Sequence, residues 1–461
     1  MVDLAVIVLA AGEGKRMKSR YAKPLMPVCG KPMINHILDE LESLAPERVV
    51  VVVGSRREQI VAALAQREVQ FAVQHPQLGT GHAVQCAESL LEDFDGDVLV
   101  TYGDVPLLRA TTLLSLLQAH RRSGAACTVL SAIQEDPTGY GRVVRDDSGR
   151  IVSIVEEKDA DEATQAIREI NTGVYAFKAR LLFEALRRVE PANAQGEYYL
   201  TDVVAVLGQD GLLVESLPID DPNEVLGVND RVQLAQVEAL ARQRIREMLM
   251  CEGVTLVDPA TTYIDAQVTV GRDTTILPGT HILGRCTIGE ECTIGPNALI
   301  EDSTIGDGCT VNVGAVVRES VVGNGCQLGP NCHLRPGTQL GQGVRLGTSA
   351  ETVRTHIGDG TSALHFCYLG DARIGEKVNI GAGCVTCNYD GRQKHVTVID
   401  SGAFVGSDVI LVAPVRVGEG AYVAAGSVIT EDVPAGALAI ARERQTVKPD
   451  WARRRCENRG N

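Results

Sequence analysis

Two stretches of this chain bring together residue types that do chemistry. In the first, Leu9-Ala10-Ala11-Gly12-Glu13-Gly14-Lys15-Arg16-Met17 sets two glycines and two cations directly after an apolar run. Glycines let a backbone approach a ligand closely and the cations offset its charge, so the loop suits a polyphosphate. A dinucleotide fingerprint wants a third glycine where Met17 stands, and a Walker loop ends in Gly-Lys-Ser/Thr, so neither applies. A merely tight strand-to-helix turn accounts for the same glycines. Lys23, in Ala22-Lys23-Pro24-Leu25, can neutralise developing phosphate charge, although a lone lysine is equally a solvated surface residue. Tyr102-Gly103-Asp104 ends an apolar strand, where parallel sheets hold ligands, so Asp104 reads as a Mg²⁺ ligand or as a cap for the segment after Pro106. Gln74, Gln77, Gly79 and Thr80 offer amides and a tight backbone that can pair with the imide edge of uracil; taken alone they are a polar loop.

The second stretch centres on His365 in Leu364-His365-Phe366-Cys367-Tyr368-Leu369, which interrupts an otherwise regular apolar register. Acyl transfer to an amine needs a base that removes an ammonium proton, and histidine, which titrates near neutrality, fits that task. A structural histidine is the competing reading.

Both stretches depend on the elements that carry them. Apolar residues recur at every sixth position through Ile264, Val270, Ile276, Ile282, Ile288, Ile294 and Ile300, often followed by glycine. After a five-residue step the series resumes at Ile305, Val311 and Val317, then at Val322, Leu328, Leu334, Leu340 and Leu346, and it returns from Ile399 to Ile429. That period is neither helix nor hairpin. Each hexad supplies a short strand and a corner, and three hexads close one triangular coil, so the chain from about Asp258 to Val433 is expected to be a parallel β-helix. Residues from Cys387 to Thr397 then project as an excursion.

Residues 3–228 read as α/β, with strands at Leu4–Leu9, Val49–Val53 and Val98–Tyr102 and a helix over Met33–Leu44. Val232, Ala235, Val237, Leu240, Ala241, Ile245 and Leu249 recur at helical spacing after Asn229 and Asp230. The expected division is residues 1–229, a connecting helix over 230–252, and the β-helix with its tail over 253–461.

At 461 residues one ordinary core is too small. A formal charge of −15 repels a polyphosphate backbone and argues against nucleic-acid binding. No apolar stretch reaches the roughly 18 residues of a membrane span and no secretory pattern opens the chain, so a cytoplasmic protein without a membrane partner is expected. The 13 cysteines lack the paired spacing of a zinc site and read as reduced thiols, with Cys384 and Cys387 as one isolated pair.

The motifs LAAGEGKRM, AKPL, QLGTGHA, YGDVPL, TGYGR, VEEKD, EINTG, GEYYLTD and GVNDR, in that order, closely resemble the bacterial bifunctional N-acetylglucosamine-1-phosphate uridylyltransferase/glucosamine-1-phosphate N-acetyltransferase family over nearly the whole chain. The resemblance implies an α/β nucleotide-diphospho-sugar transferase domain followed by a left-handed parallel β-helix. It implies Mg²⁺ as cofactor, acetyl-CoA and UTP as substrates together with glucosamine 1-phosphate and N-acetylglucosamine 1-phosphate, and a homotrimer with acetyl sites between subunits. Matched motif by motif, it assigns UTP to Leu9, Ala10, Ala11, Gly12, Lys23, Gln74, Gly79 and Thr80, with Arg16 near the triphosphate and Tyr102 and Gly103 beside the nucleotide. Gly141, Glu156 and Asn171 would hold N-acetylglucosamine 1-phosphate, and Asp104 and Asn229 would share the metal. In the β-helix it makes His365 the acetyl-transfer base, places Arg335, Tyr368, Asn379 and Lys394 on glucosamine 1-phosphate, and gives acetyl-CoA to Ala382, Asn388, Tyr389, Ser407, Ala425 and Arg442. The product would feed cell-wall and lipopolysaccharide assembly. One departure stands out: the family pattern Glu-Met-Lys-Lys is Glu351-Thr352-Val353-Arg354 here, so Val353 replaces a phosphate-binding lysine. Strand alternation would turn the neighbouring Arg354 to the opposite face.

Overall fold

Leu, Val, Ile and Ala fill Leu4–Ala10, and all seven residues are buried, as a strand covered on both faces requires. In the computed structural model, which describes residues 3–457, this strand, β1, is the centre of a mixed sheet. With β2 Arg48–Val53, β3 Gln70–Val73, β4 Asp97–Tyr102, β5 Cys127–Ile133, β6 Glu169–Lys178 and β7 Val214–Pro218, the order is β7-β5-β6-β4-β1-β2-β3. β1 runs parallel to both β2 and β4, with Leu9 opposite Val52 and Tyr102, so the loops after Ala10 and Tyr102 leave the same edge side by side. β6 is antiparallel to β4 and β5. An antiparallel hairpin, Gly141–Arg145 with Ile151–Val155, joins through Gly141 opposite Asn171. Separate apolar clusters cover the two faces of the sheet.

The chain divides into two compact units, Met1–Gln243 and Arg244–Asn461. A helix spans Arg231–Cys251. In the second unit short parallel strands stack in three sheets, beginning at Thr255–Leu256, Tyr263–Ile264 and Thr269–Val270, here called the first, second and third faces. Each expected hexad residue is the inward member of its strand, as in Ile276 opposite Ile294 and Ile282 opposite Ile300, and these side chains form one continuous buried stack. The five-residue steps fall at the turns from the second face to the third, where Asp302 (φ 46°) and Glu319 (φ 42°) take the left-handed conformation.

The corners explain four of the 13 cysteines. Cys292, Cys309, Cys326 and Cys384 are buried, and each thiol lies 3.0–3.1 Å from the carbonyl oxygen of a glycine on the next coil: Gly306, Gly323, Gly341 and Gly406. Thr274 does the same toward Gly289 O at 2.8 Å. Small donors at these positions satisfy corner carbonyls that have left the strand ladder. Among the described residues no disulfide is formed and no cluster of three metal-ligating side chains occurs. No described helix is long and apolar enough to cross a membrane.

Candidate active sites

In the first unit the loops at the ends of β1 and β4 wall a cavity of about 540 Å³. Its lining includes Leu9, Ala10, Ala11, Gly12, Lys23, Gln74, Gln77, Gly79, Thr80, Tyr102, Asp104 and Asn229, so residues separated by most of the unit's sequence meet there. The backbone dictates several of these residue types. Gly14 takes φ +63°, and a Cβ on it would lie 2.9 Å from Lys23 Cβ, so the glycine lets Lys23 pass close by. Gly79, at φ +109°, would drive a Cβ to 2.5 Å from Tyr198 O. The Glu197–Leu200 segment braces this loop: Gly81 N donates to Tyr198 O at 2.8 Å, and Leu200 N donates to Thr80 Oγ1 at 3.0 Å.

Lys23 is the electrostatic centre of the cavity. Its Nζ donates to Asn229 Oδ1 at 3.1 Å and forms an ion pair with Asp104 Oδ2; Lys23 and Asp104 each keep 15% of their side-chain surface exposed. Two side-chain oxygens thus converge on a single positive charge, a donor set that suits a hard cation. Tyr102 stands next to them. Burial raises its hydroxyl well above the ordinary phenol range, and the carboxylates of Glu156 and Asp104 push the same way.

Gly141, Glu156 and Asn171 form a neighbouring group outside that cavity's lining. A Cβ on Gly141 would lie 3.5 Å from both Asn171 Cβ and Glu156 Cδ. Burial, with Asp159 and Asp202 nearby, holds the Glu156 carboxyl above its usual range. Gly103 is buried behind the cavity, its N–H donating to Leu9 O at 3.0 Å. Arg16 is exposed and outside the lining; Lys15, paired with Glu13 at 2.6 Å, lines the cavity instead.

The second unit has a cavity of about 430 Å³ lined by His365, Asn379, Ala382, Ser407 and Ala425. His365, Ala382, Ser407 and Ala425 all follow first-face strands, so they stack along one edge of the prism, between the first and second faces. Arg442 follows the last strand of that face and donates to Ala425 O at 2.7 Å. A Cβ on Gly347 would collide with Leu364 O, so the disturbed hexad around His365 rests directly on that glycine. Phe404 and Tyr422 stack at 5.0 Å over the same cavity. Sequence reading passed over them, although both immediately precede inward valines on successive coils, a spacing visible in the chain.

The remaining residues gather at a different edge, between the second and third faces. Arg335, Val353 and Asn388 each sit at or just beyond the end of a second-face strand, and Tyr368 lies within that face. Asp371 is their hub: Arg354 donates to it through Nε and Nη2 at 2.6 and 2.8 Å, and Asn388 Nδ2 joins from the next coil. The Arg354 guanidinium holds the Asp371 carboxyl below its usual range despite partial burial, with help from Asn388 and Lys394. Contrary to strand alternation, Arg354 does not continue the strand. The strand stops at Val353, and Arg354 turns at a corner with φ 46°. Val353 is buried opposite Gly370, and Arg335 pairs with Glu351 at 2.9 Å. The excursion is closed by the pairing of Tyr389 with Lys394 and by backbone amides of Arg392 and Gln393 on Asp390 Oδ1.

Residues 6–202 match the MobA-like NTP transferase domain, 246–352 the EIF2B subunit epsilon LbH domain, and 396–431 the hexapeptide repeat of succinyl-transferase. Among curated proteins, the chain is 52% identical over 448 residues to "Bifunctional protein GlmU" of an Exiguobacterium species, covering 97% of this chain and 99% of that one. Proteins of the same description from Geobacillus sp. and Geobacter metallireducens are 48% and 50% identical, each aligned over 98% of both chains.

Proposed function

The chain belongs to the family of bifunctional GlmU proteins, and from that membership we propose how its residues divide two reactions. It is a transferase with a nucleotidyltransferase unit and a left-handed β-helix acyltransferase unit. Acetyl-CoA and glucosamine 1-phosphate give N-acetylglucosamine 1-phosphate, which with UTP gives UDP-N-acetylglucosamine and pyrophosphate. The observation that carries this reading is that each unit has its own cavity: Leu9, Gly12, Lys23, Gln74, Thr80, Asp104 and Asn229 line the first, and His365, Asn379, Ala382, Ser407 and Ala425 line the second. A nucleotidyltransferase with a merely structural β-helix would not need His365 on a cavity with Asn379, Ser407 and Ala425.

In the first reaction a phosphate oxygen of the sugar attacks the α-phosphorus of UTP and pyrophosphate leaves, so the protein supplies position and positive charge, not a nucleophile. Gly12 and its neighbours cradle the triphosphate, Lys23 and Lys15 face it, and Arg16 approaches from outside. Gln74, Gly79 and Thr80 hold the base, while Gly141, Glu156 and Asn171 hold the sugar. The oxygens of Asp104 and Asn229 suit a Mg²⁺ that keeps most of its water. Such an ion, when bound, offsets charge building on the phosphates.

In the second reaction His365 takes the proton from the attacking amine. The small residues Ala382, Ser407 and Ala425, with Arg442, present a shallow trough for acetyl-CoA, and Asn379 meets the sugar. Arg335, Tyr368, Asn388, Tyr389 and Lys394 lie along another edge, which supports a homotrimer in which one edge meets the other across subunits. A cytoplasmic location accords with substrates of this kind. The test supplies glucosamine 1-phosphate, acetyl-CoA, UTP and Mg²⁺ together and follows free thiol and pyrophosphate separately. Both should appear; pyrophosphate only when acetylated sugar phosphate is supplied would refute the second activity.

A further inference from the structure

His82 belongs to no part of the machinery above. It lies on the short helix Thr80–Gln85, behind Gln74 and outside the cavity lining. Gln74 is 3% exposed, yet it lines the cavity, and its backbone is fixed by a donation from Gln74 N to Val53 O at 2.8 Å. Gln74 Nε2 makes two contacts: Gly79 O at 2.8 Å and His82 Nδ1 at 3.3 Å.

These two contacts determine where every proton lies. A backbone carbonyl only accepts, so the amide atom facing Gly79 O is the nitrogen. Its second hydrogen is then directed at His82 Nδ1, which must accept. A neutral imidazole accepting at Nδ1 carries its proton on Nε2, and that nitrogen finds Cys86 Sγ at 3.9 Å. With both amide hydrogens engaged inward, the group Gln74 offers a ligand is its carbonyl oxygen.

We infer that His82 is a positioning residue that, together with Gly79, locks the Gln74 amide with its oxygen toward the base and so selects uracil over cytosine. The inference rests on the reading of this cavity as the UTP site. Uracil presents an N3–H donor, which a carbonyl oxygen accepts; cytosine presents a bare N3, which needs a donor. Removing the Nδ1 acceptor frees one amide hydrogen and weakens the lock.

The test compares UTP and CTP, the latter as substrate or as competing inhibitor, in the full-length enzyme and in His82→Leu. The ratio favouring UTP should fall about fivefold, the worth of one neutral hydrogen bond. In His82→Asn, whose side-chain oxygen can stand where Nδ1 stood, it should recover. An unchanged circular-dichroism spectrum and melting curve report that the unit holding His82 is folded in each variant. Equal losses for both nucleotides, or an unchanged ratio, would overturn the inference and leave the UTP reading standing. Failure of the unaltered enzyme to use UTP would instead remove the reading beneath it. Nitrogen-15 NMR of the unaltered protein gives a check independent of any variant: a His82 proton on Nε2 is expected, and one on Nδ1 would refute the lock.

Discussion

Lys23 Nζ donates to Asn229 Oδ1 at 3.1 Å, joining the segment after β1 to a residue two positions ahead of the helix Arg231–Cys251. The same ammonium pairs with Asp104, so three residues from distant parts of the sequence share one charge in the cavity. Whatever disturbs that triad should act on uridylyl transfer alone.

Asp104→Ala removes one of the two oxygens and leaves Lys23 with only the neutral Asn229. Uridylyl transfer should fall by about a thousandfold or more, since an anchoring charge for both metal and lysine is lost, while acetyl transfer is unchanged. Chelating Mg²⁺ should reproduce the pattern without mutation. Pyrophosphate release at the parental rate in Asp104→Ala would sink the assignment.

His365→Ala should show the reverse selectivity. Loss of a general base costs roughly a hundred- to ten-thousandfold in kcat, read as free thiol released from acetyl-CoA, with KM for acetyl-CoA little altered and uridylyl transfer intact. An acetylation rate within a few-fold of the parent would return His365 to a structural role.

Val353→Lys places a cation opposite Gly370, near the Tyr368 hydroxyl. If the sugar phosphate lies there, KM for glucosamine 1-phosphate should drop by roughly five- to tenfold, the value of a partly exposed charge-assisted bond. No change in KM would indicate that Arg354, released from Asp371, already serves the phosphate.

His120 tests the folding of the first unit. Its ring is wholly buried, with Nδ1 2.9 Å from Thr128 Oγ1, and burial drives its pKa well below the ordinary histidine value, against the pull of Asp97. The folded ring therefore stays neutral while the unfolded chain takes up a proton below about pH 6.5. Stability is intact above that pH and falls below it, by up to about 1.4 kcal/mol per pH unit for this group. His120→Gln cannot titrate, so the melting-temperature gap between parent and variant should narrow from about pH 7.5 to about pH 5.5. A gap that holds constant over that range would exclude His120 as the titrating group.

The β-helix was legible because the inward residue of every strand is apolar and the period of six differs from that of helices and hairpins. Ile276, Ile294 and Val311 declare themselves. The glycine-rich loop that walls the first cavity was legible because Gly12, Gly14, Lys15 and Lys23 lie close in sequence. Corner geometry was not. Arg354 looked like the next residue of a strand, and only its left-handed turn brings it to Asp371, an aspartate with no sequence signature of its own. His82 escaped notice because its partner is a side chain eight positions away whose own partner is a carbonyl. The cysteine spacing says nothing of the contacts that Cys292, Cys309, Cys326 and Cys384 make with carbonyls of the next coil, which only the stacking of the coils makes visible.

The residues nominated for acetyl transfer run along two different edges of the prism. Under the proposed assignment, a solitary chain owns both halves of the acetyl-transfer apparatus but cannot bring them face to face. Dilution becomes a chemical variable: acetylation per milligram should decay as the protein dissociates, whereas UDP-sugar formation per milligram should stay level. The ratio of the two rates in a single tube would thus report the state of assembly.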